Sequence, residues 1–175
     1  MAVLLVKALG PDRVIGVMMP QGEQKDICDS LEVCKCLGIK NYTVNIGPVC
    51  HDLFEDFVNH TNLPLTTQIE TNAPSRIRMN VLYMVAAAVG GRVCNTGNAS
   101  EAFIGYTTKY GDLAGDFALL KNLTVFRSRF LATRPRTFVS TMRRKRNWHS
   151  DAIRSLARGI SSYMTSTTSS PVAIR

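Results

Sequence analysis

Residues 13–46 read RVIGVMMPQGEQKDICDSLEVCKCLGIKNYTVNI, and this run decides the fold. Arg13–Met19 is apolar after its first residue, the pattern of a strand covered on both faces, as in a parallel sheet. Pro20-Gln21-Gly22 breaks it. Over residues 24–37, Ile27, Leu31, Val33, Cys34 and Leu37 recur near helical spacing, with Lys and acids on the other side, and Gly38 closes the helix. Asn41–Ile46 alternates and predicts a second strand. Strand, helix and strand in so short a span form a βαβ unit, whose right-handed crossover implies parallel strands.

Working outward, Ala2–Leu9 reads as the last turns of a helix ended by Gly10-Pro11-Asp12. A chain rarely opens inside an amphipathic helix, so an earlier element is expected to precede it. Residues 49–59 predict a short helix carrying Phe54, Phe57 and Val58, and 61–74 predict a loop rich in Thr, Asn and Pro. Ser75–Val89 is the strongest helix of the chain, with Ile77, Leu82, Val85 and Val89 on one side and Gly90-Gly91 at its end. Arg92–Asn95 predicts a short strand and Thr96–Ser100 a turn at its carboxyl end, where open α/β sheets bind ligands. Residues 101–110 begin as a helix and 111–116 form an acidic, glycine-containing loop. After about Ala132 the apolar periodicity fails, apart from a short helical pattern at 151–160. The chain therefore divides into an α/β unit, 1–132, and a basic tail, 133–175, expected to be poorly ordered.

Charge follows the same division. Residues 1–121 hold ten Lys/Arg and twelve Asp/Glu, and residues 122–175 hold eleven Lys/Arg and one acid, Asp151. The net charge of +8 thus belongs to the last third. Composition is that of a globular protein, no apolar run is long enough to span a membrane, and no secretion signal is visible, so a cytoplasmic location is expected. The cysteines at 28, 34, 36, 50 and 94 lack the paired spacing of a zinc site and read as reduced thiols.

Polar residues gather around the predicted strand ends. Arg76 and Arg78 open a helix, Thr96 begins a turn, and Glu101, Lys109, Asp112 and Asp116 follow. Arg binds phosphate or carboxylate through two parallel hydrogen bonds, and a carboxylate is the hard oxygen ligand that Mg²⁺ takes beside nucleotide phosphates. By spacing alone the same residues also read as solvated helix-end charges and a Lys109–Asp112 surface pair.

The stretch NAPSRIRMNVLYMVAAAVGGRVCNTGNASEAFIGYTTKYGDLAGDF, residues 72–117, resembles the central signature of the NAD synthetase family. Its pieces are R-x-R-M at Arg76–Met79, N-T-G-N-x-S-E at Asn95–Glu101, G-Y-x-T-K-Y-G-D at Gly105–Asp112 and G-D-F at Gly115–Phe117. Residues 6–30 are similar to the family's second strand and the helix after it, and the resemblance extends over roughly residues 2–132.

The resemblance implies a parallel-sheet, Rossmann-like ATP-pyrophosphatase (adenine nucleotide alpha hydrolase-like) fold, incomplete here, and usually a homodimer. It implies amidation of deamido-NAD (nicotinic acid adenine dinucleotide) to NAD by ammonia, with ATP as co-substrate, Mg²⁺, and an adenylate intermediate. Matched position by position, Glu101 falls on the family's Mg²⁺ carboxylate and Thr96 on an ATP contact. Arg76, Lys109 and Asp116 fall on deamido-NAD contacts, and Asp112 belongs to the same loop. The family opens with a strand and a Ser-Gly-Gly-x-Asp-Ser phosphate loop, and no Ser-Gly-Gly occurs in this sequence. Val125 stands where many members carry Lys, and the family's later Pro-Ser loop and Asp-Glu segment are missing. The chain is therefore expected to be inactive by itself, and a sheet lacking its first strand is expected to expose backbone donors and aggregate. Two alternatives stay open: another ATP-pyrophosphatase-type ligase, and a non-enzymatic nucleic-acid binder using Arg143-Arg144-Lys145-Arg146.

Overall fold

The structure is a computed structural model that describes residues 1–24, 26–133 and 172–174. Helix α1, Ala2–Leu9, buries Val3–Val6 and ends where the Gly10 N–H bonds to the Val6 carbonyl at 2.8 Å. A 3-10 turn at Pro11–Arg13 leads into β1, Val14–Met18, buried along its whole length. Helix α2, Ile27–Leu37, stops at Gly38, and β2, Lys40–Thr43, pairs parallel with β1. Beyond β2 the chain keeps following β1's exit, with Val44 N–H on the Met18 carbonyl and Ile46 N–H on the Pro20 carbonyl.

Helix α3, Gly47–Thr61, and helix α4, Thr67–Val89, come next. The sequence expectation of a loop over 61–74 holds for 62–66 only, because α4 starts eight residues earlier than its apolar pattern. The Thr66 hydroxyl caps the Ile69 N–H, and Pro74 is accommodated inside the helix. The added turns are polar, so no apolar stripe announces them. Strand β3, Arg92–Asn95, lies where expected, followed by the short α5, Ala99–Ile104, by β4, Phe117–Ala118, which the sequence reading places in no strand, and by α6, Val125–Thr133.

The sheet order is β2-β1-β5-β3-β4, where β5 is Val172–Ile174. β1–β2 and β3–β4 are parallel, while β5 runs antiparallel to both β1 and β3. The anticipated empty slot is therefore occupied by three residues of the tail. A Pro followed by Val-Ala-Ile is too short a run to carry a periodic signal. The expected helix at 151–160 and the basic run 143–146 lie outside the described residues.

Two apolar clusters sandwich the sheet. On one face Val3, Leu5 and Val6 of α1 meet Val14, Cys34, Leu37, Ile39 and Cys94. On the other, Ile15, Val17, Ile46 and Val93 meet Cys50 of α3 and Leu82 and Ala86 of α4. Alternate residues of β1 and β3 thus serve opposite faces, as a doubly wound α/β layer requires. Gly16 permits the close approach of α2, since a Cβ there would lie 2.8 Å from Cys34 Sγ. Among the described residues no helix is long and apolar enough to cross a membrane.

Candidate nucleotide site

A cleft of about 670 Å³ opens at the carboxyl ends of β1 and β3. Met18, Met19 and Pro20 form one side with Gln24, Asp26, Ile27 and Ser30, from the stretch leading into α2 and its first turn. Asn72, Ser75 and Arg78 of α4 with Gly97, Glu101, Thr108 and Asp112 form the other. Among the described charged lining residues, three are acidic (Asp26, Glu101 and Asp112) and one, Arg78, is basic. A polyphosphate entering this part of the lining would meet more acidic than basic side chains, a repulsion that a divalent cation between them would offset.

Glu101 is held by the start of α5. Asn98, buried, accepts from the Ser100 and Glu101 N–H groups at 2.9 and 3.2 Å, and Glu101 Oε2 accepts from the Asn98 N–H at 2.9 Å. This reciprocal capping box anchors one carboxylate oxygen and leaves Glu101 at the cleft wall. The described residues contain no group of three or more His, Cys, Asp or Glu able to hold a metal alone. Mg²⁺ keeps several waters and takes one or two carboxylates beside substrate phosphates, so a single carboxylate fits an ion that arrives with a nucleotide.

The loop after α5 is tied to α4. Asp112 Oδ1 accepts from the Thr108 N–H at 2.5 Å and the Ser75 hydroxyl at 3.3 Å, and Thr108 Oγ1 donates to Asn72 Oδ1 at 2.7 Å. Arg76 Nε donates to the Lys109 carbonyl at 3.2 Å, and Lys109 Nζ lies 5.0 Å from the Tyr110 ring centroid. Asn95, 7% exposed, donates through Nδ2 to the Asp112 and Ala114 carbonyls at 2.9 and 3.1 Å and accepts the Gly97 N–H at 2.8 Å. Gly115, at φ 156°, permits this packing, for a Cβ there would meet Asn95 N at 2.7 Å.

Of the residues singled out from sequence, Glu101 and Asp112 line the cleft. Thr96 adjoins lining residue Gly97 on the turn that leads into α5, the helix carrying Glu101. Arg76 and Lys109 share the outer junction between α4 and the loop. Asp116 stands apart from the cleft lining: its Oδ2 accepts the Val93 N–H at 2.7 Å, beside Tyr83.

Arg78 has a larger place than the sequence suggests. Its Nε donates to the Met19 carbonyl at 3.0 Å, joining α4 to the exit of β1. Burial pulls its pKa down, offset by nearby Cys50 and Asp26, yet an Arg stays a cation in any protein setting. Burial pushes the Cys94 thiol up to about 11 and raises Cys34 and Cys50, so the three buried thiols are neutral; Cys28 and Cys36 are exposed. Sequence reasoning also missed the structural load on Asn95 and Ser75. The Asn98-x-x-Glu101 spacing, by contrast, is itself a capping-box pattern and could have been read.

The family model described as NAD synthase matches residues 1–137. The chain belongs to the NAD synthase family. It is 41% identical over 122 residues to an NH₃-dependent NAD(+) synthetase of Pyrococcus horikoshii, covering 70% of this chain and 46% of that protein. It is 36% identical over 124 residues to a glutamine-dependent NAD(+) synthetase of a Synechocystis strain, covering 70% of this chain and 22% of the relative. Its fold matches the solved NMN synthetase of Francisella tularensis with a TM-score of 0.67 and 29% identity, over 83% of this chain and 59% of the other. This NAD synthase family chain spans about half the length of the ammonia-dependent relatives it matches.

Proposed function

We propose that the cleft binds ATP with Mg²⁺ beside deamido-NAD, and that the activity to which this chain belongs is amidation of the deamido-NAD carboxylate by ammonia. One observation carries the reading: Glu101 is presented on an Asn98-capped helix start in a cleft at the strand ends, within a chain 41% identical to an ammonia-dependent synthetase.

A carboxylate has no good leaving group, so it is activated first. Its oxygen attacks the α-phosphorus of ATP, and the bond from that phosphorus to the pyrophosphate oxygen breaks, leaving an acyl-adenylate. The nitrogen of ammonia then adds to the acyl carbon, AMP departs with the electrons of the C–O bond, and the nitrogen sheds its surplus proton. Mg²⁺, when bound, neutralises charge on the phosphates. In this reading Glu101 holds that ion, and the Thr96 hydroxyl contacts ATP. Arg76, Lys109 and Asp116 contact deamido-NAD, and Arg78 keeps the Met19 end of β1 in place behind the phosphates. Asp112, engaged by Ser75 and Thr108, shapes the loop. Relatives using ammonia and relatives using glutamine both match, so the shared step is attack by ammonia itself. A homodimer like that implied by the family resemblance, and a cytoplasmic location, belong to the same proposal.

This chain by itself is proposed to bind without turning over, because no Ser-Gly-Gly-x-Asp-Ser sequence is present to wrap the pyrophosphate. Titration calorimetry with MgATP, deamido-NAD and nicotinic acid mononucleotide, followed by chromatographic assay for NAD, tests both parts. MgATP binding that falls at least about tenfold in Glu101→Ala, with no NAD formed, is expected for a lost charge-assisted metal contact. A folded chain that ignores ATP would overturn the reading, and NAD formation would overturn the inactivity. Preference for the mononucleotide would reassign the substrate toward the chemistry of the Francisella protein.

A further inference from the structure

The sheet consists of two parallel blocks, β1–β2 and β3–β4, and among the described residues β5 is the one strand that joins them. Its three residues pair on both sides: Val14, Ile15 and Gly16 of β1 stand opposite Ile174, Ala173 and Val172, and so do Arg92, Val93 and Cys94 of β3. Through β5, Val14 is therefore level with Arg92, and Gly16 with Cys94. Among the described residues the pairing reaches Gly16 and Cys94. The residues that follow, Val17–Met19 and Asn95–Gly97, are the ones that run up to the cleft, and Met18, Met19 and Gly97 line it.

We propose that β5 is an internal spacer strand: it fixes the separation and register of the two cleft walls, so that occupancy of the cleft and docking of the C-terminal strand are coupled. One interposed strand sets neighbouring backbones about 10 Å apart, twice the ladder spacing. Helix α4 also reaches both blocks, through Leu82 and Ala86 packed with Ile15 and Val93 and through Arg78 on Met19. Side-chain packing tolerates sliding, whereas a ladder specifies register. The strands beside β5 are deeply buried, with Val14, Val93 and Cys94 no more than 1% exposed. Their donors and acceptors facing the slot have no water to fall back on, so β5 satisfies them. The antiparallel sense is compatible with this task, since the slot needs only a backbone with free N–H and C=O groups. In this proposal β5 acts through the two walls it pairs with.

Hydrogen exchange on the unmodified chain tests the docking without reference to any ligand. The Ala173 and Ile174 amides are expected to exchange far more slowly than an unstructured peptide, and MgATP should slow them further. Ala173→Pro removes a ladder donor from a central strand. It should raise exchange across Val14–Gly16 and Val93–Cys94 by at least about tenfold, the signature of local opening, and weaken MgATP binding. The Tyr42 and Thr43 amides of the β1–β2 pair should keep their protection. Unprotected 173–174 amides in the unmodified chain, or unaltered exchange in Ala173→Pro, would overturn the proposal. The coupling rests on the proposed nucleotide reading of the cleft: if docking is confirmed and MgATP binds by calorimetry yet leaves exchange unchanged, the coupling is refuted while the spacer remains, whereas MgATP that does not bind overturns the nucleotide reading instead. If Ala173→Pro does not fold, the unmodified chain's exchange with and without MgATP decides the matter.

Discussion

The wall made by Met18–Pro20 and the start of α2 and the wall made by α4, the Asn95–Glu101 turn and the 105–116 loop face the same cleft, yet they are held in different ways. The first relies on burial of β1 and a few ties: Arg78 to the Met19 carbonyl, and Asn45 Oδ1 accepting from the Gly22 and Gly47 N–H groups at 3.1 and 2.8 Å. The second is cross-bonded side chain to backbone and side chain to side chain through Asn72, Ser75, Asn95, Asn98, Thr108 and Asp112. Much of the long motif at 72–117 is thus occupied with building its own loops. A rigid platform for a few ligand contacts is what second-layer bonding provides.

Breaking the cross-bonded wall should cost far more than disturbing its rival. Asn95→Leu leaves the Asp112 and Ala114 carbonyls and the Gly97 N–H without their partner. A loss of about 2–5 kcal/mol is expected, at about 1–3 kcal/mol per buried unsatisfied group and allowing for partial relaxation. Urea denaturation measures it, and a loss below about 1 kcal/mol would show that water replaces the side chain. Gly115→Ala should cost about 1–3 kcal/mol by pushing a Cβ into the Asn95 backbone. Ser75→Ala, which deletes the exposed link to Asp112, should cost about 1 kcal/mol and speed amide exchange over 108–112. Glu101→Gln should change stability by no more than about 1 kcal/mol, because a Gln retains the capping box, while weakening MgATP binding.

The thiols sharpen the contrast at a smaller scale. Cys94 has its folded pKa raised to about 11, above the ordinary value of 9.0, so the folded state retains a proton that the unfolded state gives up. The corresponding stability is whole below pH 9 and is lost as pH rises toward 11. A melting temperature that falls over this alkaline window in the unmodified chain, and falls less in Cys94→Ala, is the expected result. At neutral pH a thiol reagent should label Cys28 and Cys36 rapidly and Cys34, Cys50 and Cys94 only on unfolding.

The parallel β1–α2–β2 unit and the Arg92–Asn95 strand were legible because burial on both faces leaves unbroken apolar runs, and helical stripes with Gly stops bound the helices between them. The first turns of α4 were not, since Thr67–Asn72 is held by the Thr66 cap and by Thr71 bonding back to Thr67, interactions that produce no periodicity. Glu101 was singled out as a carboxylate of the 72–117 motif and lines the cleft, while its cap by Asn98, a local pattern in the sequence, went unread. The bond of Asp116 to the Val93 N–H has no local signal, because only the folded sheet supplies that partner. β5 was illegible for a topological reason, as nothing local to Val172–Ile174 says which strands it will join.

Electron paramagnetic resonance of Mn²⁺ as a probe for Mg²⁺ tests the central claim most directly. With no three-ligand cluster among the described residues, the ion alone should bind weakly; with ATP present it should bind stoichiometrically, and Glu101→Ala should release it while amide exchange elsewhere is unchanged. Equal Mn²⁺–ATP binding by the folded Glu101→Ala variant would contradict the account.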